Sequence, residues 1–138
     1  MMSGIRSTNT RPEINVRLAL FAKGFRYRLH LRGLPGSPDI ILKKHRAAIF
    51  VHGCFWHGHD CALFRMPGTR VDFWSHKIEA NRKRDRKAKV QLSELGWRCC
   101  EIWQCSLRGK GGRGIEEVTS NVADWLIGSD ETLTVRGA

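Results

Sequence analysis

Metal-binding side chains are concentrated in one short segment of the chain. The segment VHGCFWHGHDC, Val51 to Cys61, holds three histidines and two cysteines within eleven positions. Two thiolates and one imidazole, from Cys54, His59 and Cys61, suit a borderline-soft cation such as Zn²⁺ if a fourth ligand comes from elsewhere. The spacing C-x4-H-x-C is not a common zinc-finger spacing, so reduced core thiols and surface histidines are the alternative interpretation.

We predict that Cys105 supplies the fourth ligand. Cys105 stands just beyond a predicted strand, where a side chain can leave the sheet and reach a loop. Cys99 and Cys100 lie within that strand, and we expect at least one of them to be a small core residue. Five cysteines in a chain without an export signal argue against a disulfide framework. We therefore predict a structural zinc site that leaves His52 and His57 free.

A second kind of metal chemistry is indicated by Asp39, at the head of a predicted strand. Its carboxylate is the ligand type that Mg²⁺ prefers, although taken alone it is more simply a turn aspartate. An antiparallel hairpin after Asp39 would bring it beside His52. Hydrolysis of a phosphodiester needs a metal to absorb charge and a base to activate water, and a neutral imidazole such as His52 or His57 can be that base.

Hydrophobic periodicity predicts the elements that position these residues. They are a helix from Pro12 to Lys23 capped by Thr10, a strand Phe25–Leu31, a hairpin of Asp39–Leu42 and Ala47–Val51, a helix Val71–Leu95, a strand Trp97–Trp103 and a helix Ile115–Leu126. The first strand is expected to have one apolar and one basic face. This order of elements predicts an α/β domain with a mixed central sheet.

The chain is strongly basic and has the length of one domain. Its 138 residues include 24 Lys and Arg against 13 Asp and Glu, a formal charge of +11, which favours a polyanionic partner. Hydrophobic residues make up 41%, so a core rather than intrinsic disorder is expected. No apolar run approaches the ~18 residues that cross a bilayer, and we see no secretory signal, so we expect a cytoplasmic protein without membrane contact.

Three aromatic residues lie in or after the metal-binding segment, at Phe55, Trp56 and Trp74. Core packing is the common role of tryptophan. In a basic protein, loop aromatics are also what a wedge between stacked bases requires. The helix after Trp74 is crowded with Lys and Arg, for which a solvated helix face is the simplest interpretation.

These motifs together resemble the very short patch repair endonucleases. The resemblance runs from about Met1 to Leu126 and is carried by seven ordered blocks. They are RPE at 11–13, LPGSPDI at 34–40, FVHGCFWHGHDC at 50–61, TRVDFW at 69–74, NRKRD at 81–85, LGWR at 95–98 and IWQCSLRG at 102–109. The resemblance implies a restriction-endonuclease-like fold with helices flanking the sheet and a structural zinc site, over residues 1–127. The end of the chain, residues 128–138, is expected to be a flexible tail because chain termini are often frayed.

The resemblance also implies an activity, the Mg²⁺-dependent nicking of one strand of double-stranded DNA next to the T of a T:G mismatch. By motif, Asp39 is the magnesium ligand, with His52 and His57 in the active site and His57 as the base that activates water. Val51 stands where some members have threonine, so a magnesium contact there must use the main-chain carbonyl.

Supporting residues are implied by the same resemblance. Glu13 supports the site from the first helix, and Asp85 orients His57 by a hydrogen bond. The expected zinc ligands are Cys54, His59, Cys61 and Cys105. The wedge residues of the family correspond to Phe55, Trp56 and Trp74. From the basic helix after Trp74, we also expect DNA contacts by Asn81, Lys83 and Lys87.

Two rival functions remain at this point. A non-catalytic zinc-containing DNA-binding module explains the charge, the cysteines and the aromatics, but leaves Asp39, His52 and His57 without a role. A nuclease of the same fold without mismatch specificity is the nearer rival. We expect a monomer that makes transient contacts with other mismatch-repair proteins.

Overall fold

The computed structural model describes residues 10–31, 33–54, 57–59, 61, 65–107 and 112–137. The helices are α1 (Arg11–Ala22), α2 (Val71–Glu94), α3 (Gln104–Leu107) and α4 (Ile115–Ile127), and the strands are β1 (Arg28–Leu29), β2 (Ile40–Leu42), β3 (Ala47–His52), β4 (Arg98–Trp103) and β5 (Thr132–Val135). No helix of the described part of the chain is long and apolar enough to span a membrane. The predicted wedge residues Phe55 and Trp56 lie outside the described residues.

The strands form one mixed sheet in the order β1-β2-β3-β4-β5. The first three strands are antiparallel, with Ile40 opposite Ile49, which confirms the predicted hairpin. Strands β3, β4 and β5 are parallel, with Phe50 opposite Glu101 and His52 opposite Trp103. The mixed α/β architecture predicted from the order of elements is therefore confirmed.

Helices cover both faces of the sheet, because strand side chains alternate between its two sides. One core joins α1 and α4 to the sheet through Val16, Leu20, Val118, Val122, Ile49 and Ile102. A smaller core joins α2 to the opposite face through Ile41, Ala48, Phe50, Leu92 and Cys99. Cys99 and its neighbour Cys100 are buried on opposite faces, as expected for small core residues in a central strand.

The predicted strand over Phe25–Leu31 is wrong in extent. Only Arg28 and Leu29 pair with β2, and both are exposed. The chain turns away at His30, whose φ of 49° is left-handed and incompatible with a strand. The expected apolar face survives only in part, since Phe25 and Tyr27 pack against the larger core although they precede the strand.

The expectation of a flexible tail at 128–138 also differs from the structure, which places β5 within it. Thr132–Val135 pairs with β4, and Leu133 and Val135 pack on the larger core. The Arg98 guanidinium helps to hold this segment, because it donates to the carbonyl oxygens of Trp125 at 2.6 Å, at the end of α4, and of Asp130 at 2.9 Å. Four alternating residues of high β propensity thus complete the edge of the sheet.

Candidate active site and metal centre

A buried carboxylate stands where β2 begins. Asp39 is 9% exposed, and its Oδ2 accepts a hydrogen bond of 2.7 Å from the Val51 main-chain N–H on β3. Glu13 of α1 is 1% exposed, and its Oε2 lies 2.7 Å from Nε2 of His30. The possible ligand atoms of Glu13, His30 and Asp39 all lie within 4.8 Å of one another. Helix α1 and the hairpin therefore create one oxygen-rich site that can hold a cation.

Burial makes this site unfavourable for an uncompensated negative charge. Burial, together with the nearby Glu13 carboxyl, raises the pKa of Asp39 to about 7, against the opposing hydrogen bond from Val51. A divalent cation would favour the ionised form of both carboxylates. The donor set, two carboxylates with an imidazole beside them, fits a divalent cation such as Mg²⁺ or Mn²⁺.

Asp39→Asn is expected to stabilise the cation-free protein above neutral pH. The native state retains the Asp39 proton up to about pH 7, whereas the unfolded chain releases it near 3.8. Wild-type stability therefore falls, relative to the variant, as pH rises through that window, by at most about 4 kcal/mol for three pKa units. Urea unfolding of both proteins at pH 4 and pH 8 measures the difference. If the stability of the wild type relative to Asp39→Asn were the same at pH 4 and pH 8, the raised pKa of the buried Asp39 carboxyl would be contradicted.

A second group of titratable residues lies at the end of β3. Nδ1 of His57 forms a short hydrogen bond with Oδ2 of Asp85 on α2. The His57 ring lies against that of His52, with 4.2 Å between ring centroids. Because Asp85 accepts the proton of Nδ1, Nε2 of His57 is left to accept a proton from a water or a substrate. The predicted pairing of Asp85 with His57 is thus present in the structure.

These two groups of residues are linked through β3 and the loop that follows it. Val51, which bonds Asp39, immediately precedes His52. The loop then approaches α2 closely at Gly58, whose φ is +59°, and a Cβ there would lie 2.5 Å from Cγ2 of Ile78. Arg82 of α2 donates to the Gly58 carbonyl. Gly58 therefore lets His57 reach Asp85 on the helix.

The four predicted zinc ligands also come together. The possible ligand atoms of Cys54, His59, Cys61 and Cys105 lie within 4.8 Å of one another, and Sγ of Cys105 is 3.5 Å from Nδ1 of His59. All but Cys61 are buried. Burial raises the pKa of the Cys54 thiol well above its usual range, so a cation is needed to hold it as a thiolate. The cluster can hold a metal ion, and three thiols with an imidazole suit a tetrahedral site.

Main-chain N–H groups support the sulfur atoms of this cluster. The Cys105 N–H donates to Sγ of Cys54 at 3.3 Å, and the Gly137 N–H donates to Sγ of Cys105 at 3.3 Å. The segment after β5, which lies within the predicted flexible tail, therefore contacts the candidate metal centre. Such hydrogen bonds to the ligands orient them and tune metal affinity.

Gly137→Pro is expected to speed the loss of zinc from zinc-loaded protein, because proline has no N–H to donate to Cys105. An increase of about 10-fold in the rate of zinc transfer to a colorimetric chelator is expected. Gly137→Ala, which retains the N–H, is the matched control. Equal rates for the two variants would show that this hydrogen bond does not support the metal centre.

Helix α2 presents the predicted DNA contacts on its solvent side. Lys83 and Lys87 are exposed, and Asn81 hydrogen-bonds Arg84. Trp74 lies in the first turn of α2, half-buried, with its ring edge-to-face against Phe73 at 5.1 Å. A basic helix beside the His57 group is suitably placed to bind a phosphate backbone.

Sequence reasoning missed two site residues. His30 is placed by alternation on a basic strand face, but pairing of Leu29 with Ile40 brings it beside Asp39. Glu101 was not singled out, although it is the lone carboxylate in the strand RCCEIW. A single charge inside an apolar strand is the signal that could have found it, because such a charge needs partners.

Comparisons with known proteins show which family and which relatives this chain resembles. A family described as DNA mismatch endonuclease Vsr matches residues 1–63. Type II nicking enzyme V.XorIIP of Xanthomonas oryzae is 48% identical over 124 residues, which cover 90% of this chain and 90% of that protein. DNA mismatch endonuclease Vsr of Escherichia coli is 40% identical over 127 residues, 92% of this chain and 81% of that protein.

The fold, the site and these relatives define the class of protein as an endonuclease that hydrolyses phosphodiester bonds. Within that class, the chain belongs to the DNA mismatch endonuclease Vsr family.

Proposed function

We propose that this protein is a Mg²⁺-dependent endonuclease that nicks one strand of double-stranded DNA next to the T of a T:G mismatch. The observation that carries the proposal is that β3 and the loop after it link a carboxylate pair, Asp39 with Glu13, to a carboxylate-bound imidazole, His57 with Asp85. A DNA-binding module needs neither group. The named activity of the Escherichia coli relative supports the mismatch substrate.

The residues suggest a division of labour in hydrolysis. Nε2 of His57 accepts a proton from water as the water oxygen bonds to phosphorus, and the bond from phosphorus to one sugar oxygen breaks. Asp85 keeps Nδ1 protonated and stabilises the imidazolium that results. Mg²⁺ held by Asp39, with Glu13 in support and the Val51 carbonyl as a further ligand, would supply charge stabilisation for the phosphate and the leaving oxygen.

Zinc has a structural role in this proposal. Cys54, His59, Cys61 and Cys105 would use all four positions of a tetrahedral Zn²⁺ site. The site would hold the loop that carries His57 against α3, which directly follows β4 and contains Cys105. The mixed sheet with helices on both faces is consistent with a restriction-endonuclease-like fold.

Recognition of the mismatched DNA would combine basic side chains that contact phosphates with aromatic side chains that insert between bases. Lys83 and Lys87, with Asn81 nearby, would contact phosphates, and Trp74 with Phe55 and Trp56 would enter the base stack. A T:G pair is stacked less regularly than a matched pair, so opening it costs less, and deformability contributes to selection.

The substrate is tested by single-turnover cleavage of duplexes labelled on each strand in turn, in the presence of Mg²⁺. Cleavage of only the T strand of T:G duplex, much faster than cleavage of matched duplex, is the expected result. Equal cleavage of both duplexes would favour a nuclease without mismatch specificity. Tight binding without cleavage would favour a DNA-binding module.

Trp74→Ala is expected to reduce discrimination between T:G and matched duplex, because the loss of one stacking contact costs about 1–3 kcal/mol. Lys83→Ala should instead weaken the binding of both duplexes by the same factor and reduce the slope of log affinity against log salt by about one unit. Binding of both duplexes by both variants across a salt series separates these effects. If Trp74→Ala weakens the binding of both duplexes equally, Trp74 does not act as a wedge at the mismatch.

A further inference from the structure

The interior strand β4 carries a buried carboxylate that has none of the roles proposed above. Glu101 is 7% exposed and lies in the middle of the sheet, between β3 and β5. A carboxylate in such a place destabilises the fold unless it is paired and hydrogen-bonded. The nature of its partners therefore indicates why it is present.

Both oxygens of Glu101 have a partner. Oε2 lies 2.9 Å from Nε2 of His52, and Oε1 accepts from Nζ of Lys89 at 3.0 Å. Burial alone would raise the pKa of Glu101, but the hydrogen bonds and charges of His52 and Lys89 lower it to about 2. Glu101 is therefore ionised at neutral pH. An ionised carboxylate can only accept, so Nε2 of His52 must carry the proton.

The fold fixes this arrangement from two sides. Phe50 lies opposite Glu101, and His52 lies opposite Trp103, in the pairing of β3 with β4. Because alternate residues of a strand point to the same side, all four side chains lie on one face of the sheet. The His52 ring is held between Phe50, at 5.5 Å between centroids, and Trp103, at 4.7 Å. Its other neighbour is the His57 ring.

Helix α2 supplies both distal partners. Asp85 and Lys89 are four residues apart and so lie on the same face of the helix. Asp85 bonds His57, and Lys89 bonds Glu101. These residues and Glu101 line the same open cleft. The two imidazoles at the end of β3 are thus each oriented by their own carboxylate.

We propose that Glu101, held in place by Lys89, is a positioning residue that fixes His52 with Nε2 protonated and Nδ1 as its hydrogen-bond acceptor in the active site. This inference rests on the proposed hydrolysis at His57 and adds a second oriented imidazole beside it. With Nε2 committed to Glu101, His52 accepts only through Nδ1. The ring then cannot flip, and its acceptor keeps one direction during the reaction.

Glu101→Gln tests this role, because an amide can either donate to or accept from the imidazole and does not select one tautomer. The positions of the His52 protons are read from long-range ¹H–¹⁵N NMR of the full-length protein, with His52→Gln used for assignment. Steady-state nicking of T:G duplex over a range of duplex concentrations gives kcat and KM. Glu79→Gln, which removes an exposed partner of Arg86, is the matched control.

We expect wild-type His52 to be protonated at Nε2, and Glu101→Gln to lose this preference and to lower kcat about 10–100-fold with KM unchanged. Lys89→Met should change the His52 tautomer and kcat in the same direction, but by less. If Glu101→Gln does not fold, Lys89→Met is the variant that tests the proposal. Glu79→Gln should change neither. Wild-type kcat in a folded Glu101→Gln protein, or a wild-type His52 protonated at Nδ1, would overturn the proposal.

The two proposals fail separately. A wild-type protein that does not nick any duplex would refute the proposed function. The NMR comparison of wild type, Glu101→Gln and Lys89→Met does not depend on that activity. A change of tautomer in both variants would still support the positioning of His52 by Glu101, and an unchanged tautomer would overturn it.

Discussion

His57→Ala and Asp39→Ala are each expected to lower the nicking rate about 10²–10⁴-fold, the usual effect of losing a positioned base or the ligand of a catalytic metal. In His57→Ala no imidazole accepts the proton of the attacking water. In Asp39→Ala the cation loses its central carboxylate. Single-turnover cleavage of T:G duplex at saturating protein measures both effects apart from changes in affinity.

The binding of DNA provides the control for these variants. The basic side of α2 and Trp74 are untouched, so affinity for T:G duplex should stay close to that of wild type. Asp39→Ala should also unfold at no lower urea concentration than wild type at pH 8, because it removes a buried charge. Wild-type cleavage by Asp39→Ala in added Mg²⁺ would remove Asp39 from the active site.

Cys105→Ser is expected to lose bound zinc and much of the thermal stability of the fold. Serine is a poor ligand for Zn²⁺, and the binding energy of a structural zinc is also folding energy. The loss would free the loop that carries Cys54 and His59 from the end of β4. Elemental analysis of the purified protein, together with its melting temperature, measures both quantities. Cys61→Ser should behave in the same way.

Cys99→Ser is the matched control for this prediction. Cys99 is buried in the smaller core under α2, outside the cluster of four ligands. The substitution should lower stability modestly, by burying a hydroxyl, and leave one zinc per chain. Full zinc content in Cys105→Ser would contradict the assignment of the fourth ligand. Loss of zinc in Cys99→Ser would show that the wrong cysteine had been chosen.

Local patterns were sufficient to predict most of the framework. The predicted helix Val71–Leu95 ends within one residue of α2, and the hairpin is correct, because amphipathic periods and turn residues are local signals. β1 and β5 were misjudged because they are two and four residues long. Segments this short take their structure from the strand they pair with, and their own sequences carry little signal.

In the candidate site, too, residues close together in the sequence were predicted, and residues that depend on distant partners were not. The ligand set around Cys54 was predicted because three of its members share one segment, and Asp85 came from the family motif. His30 and Glu101 become visible only in three dimensions, since their partners Glu13 and His52 are 17 and 49 residues away. Their significance depends on burial and pairing, which a single sequence does not display.

The most direct test of the hydrolytic centre is the cation dependence of nicking in a single protein sample. The wild-type protein is freed of weakly bound cations with a chelator, its zinc content is verified, and it is bound to T:G duplex labelled on both strands. We predict stable binding without cleavage, followed by cleavage of the T strand alone when Mg²⁺ is added. Cleavage before Mg²⁺ is added, or intact DNA after it, would contradict a Mg²⁺-dependent centre at Asp39 and His57.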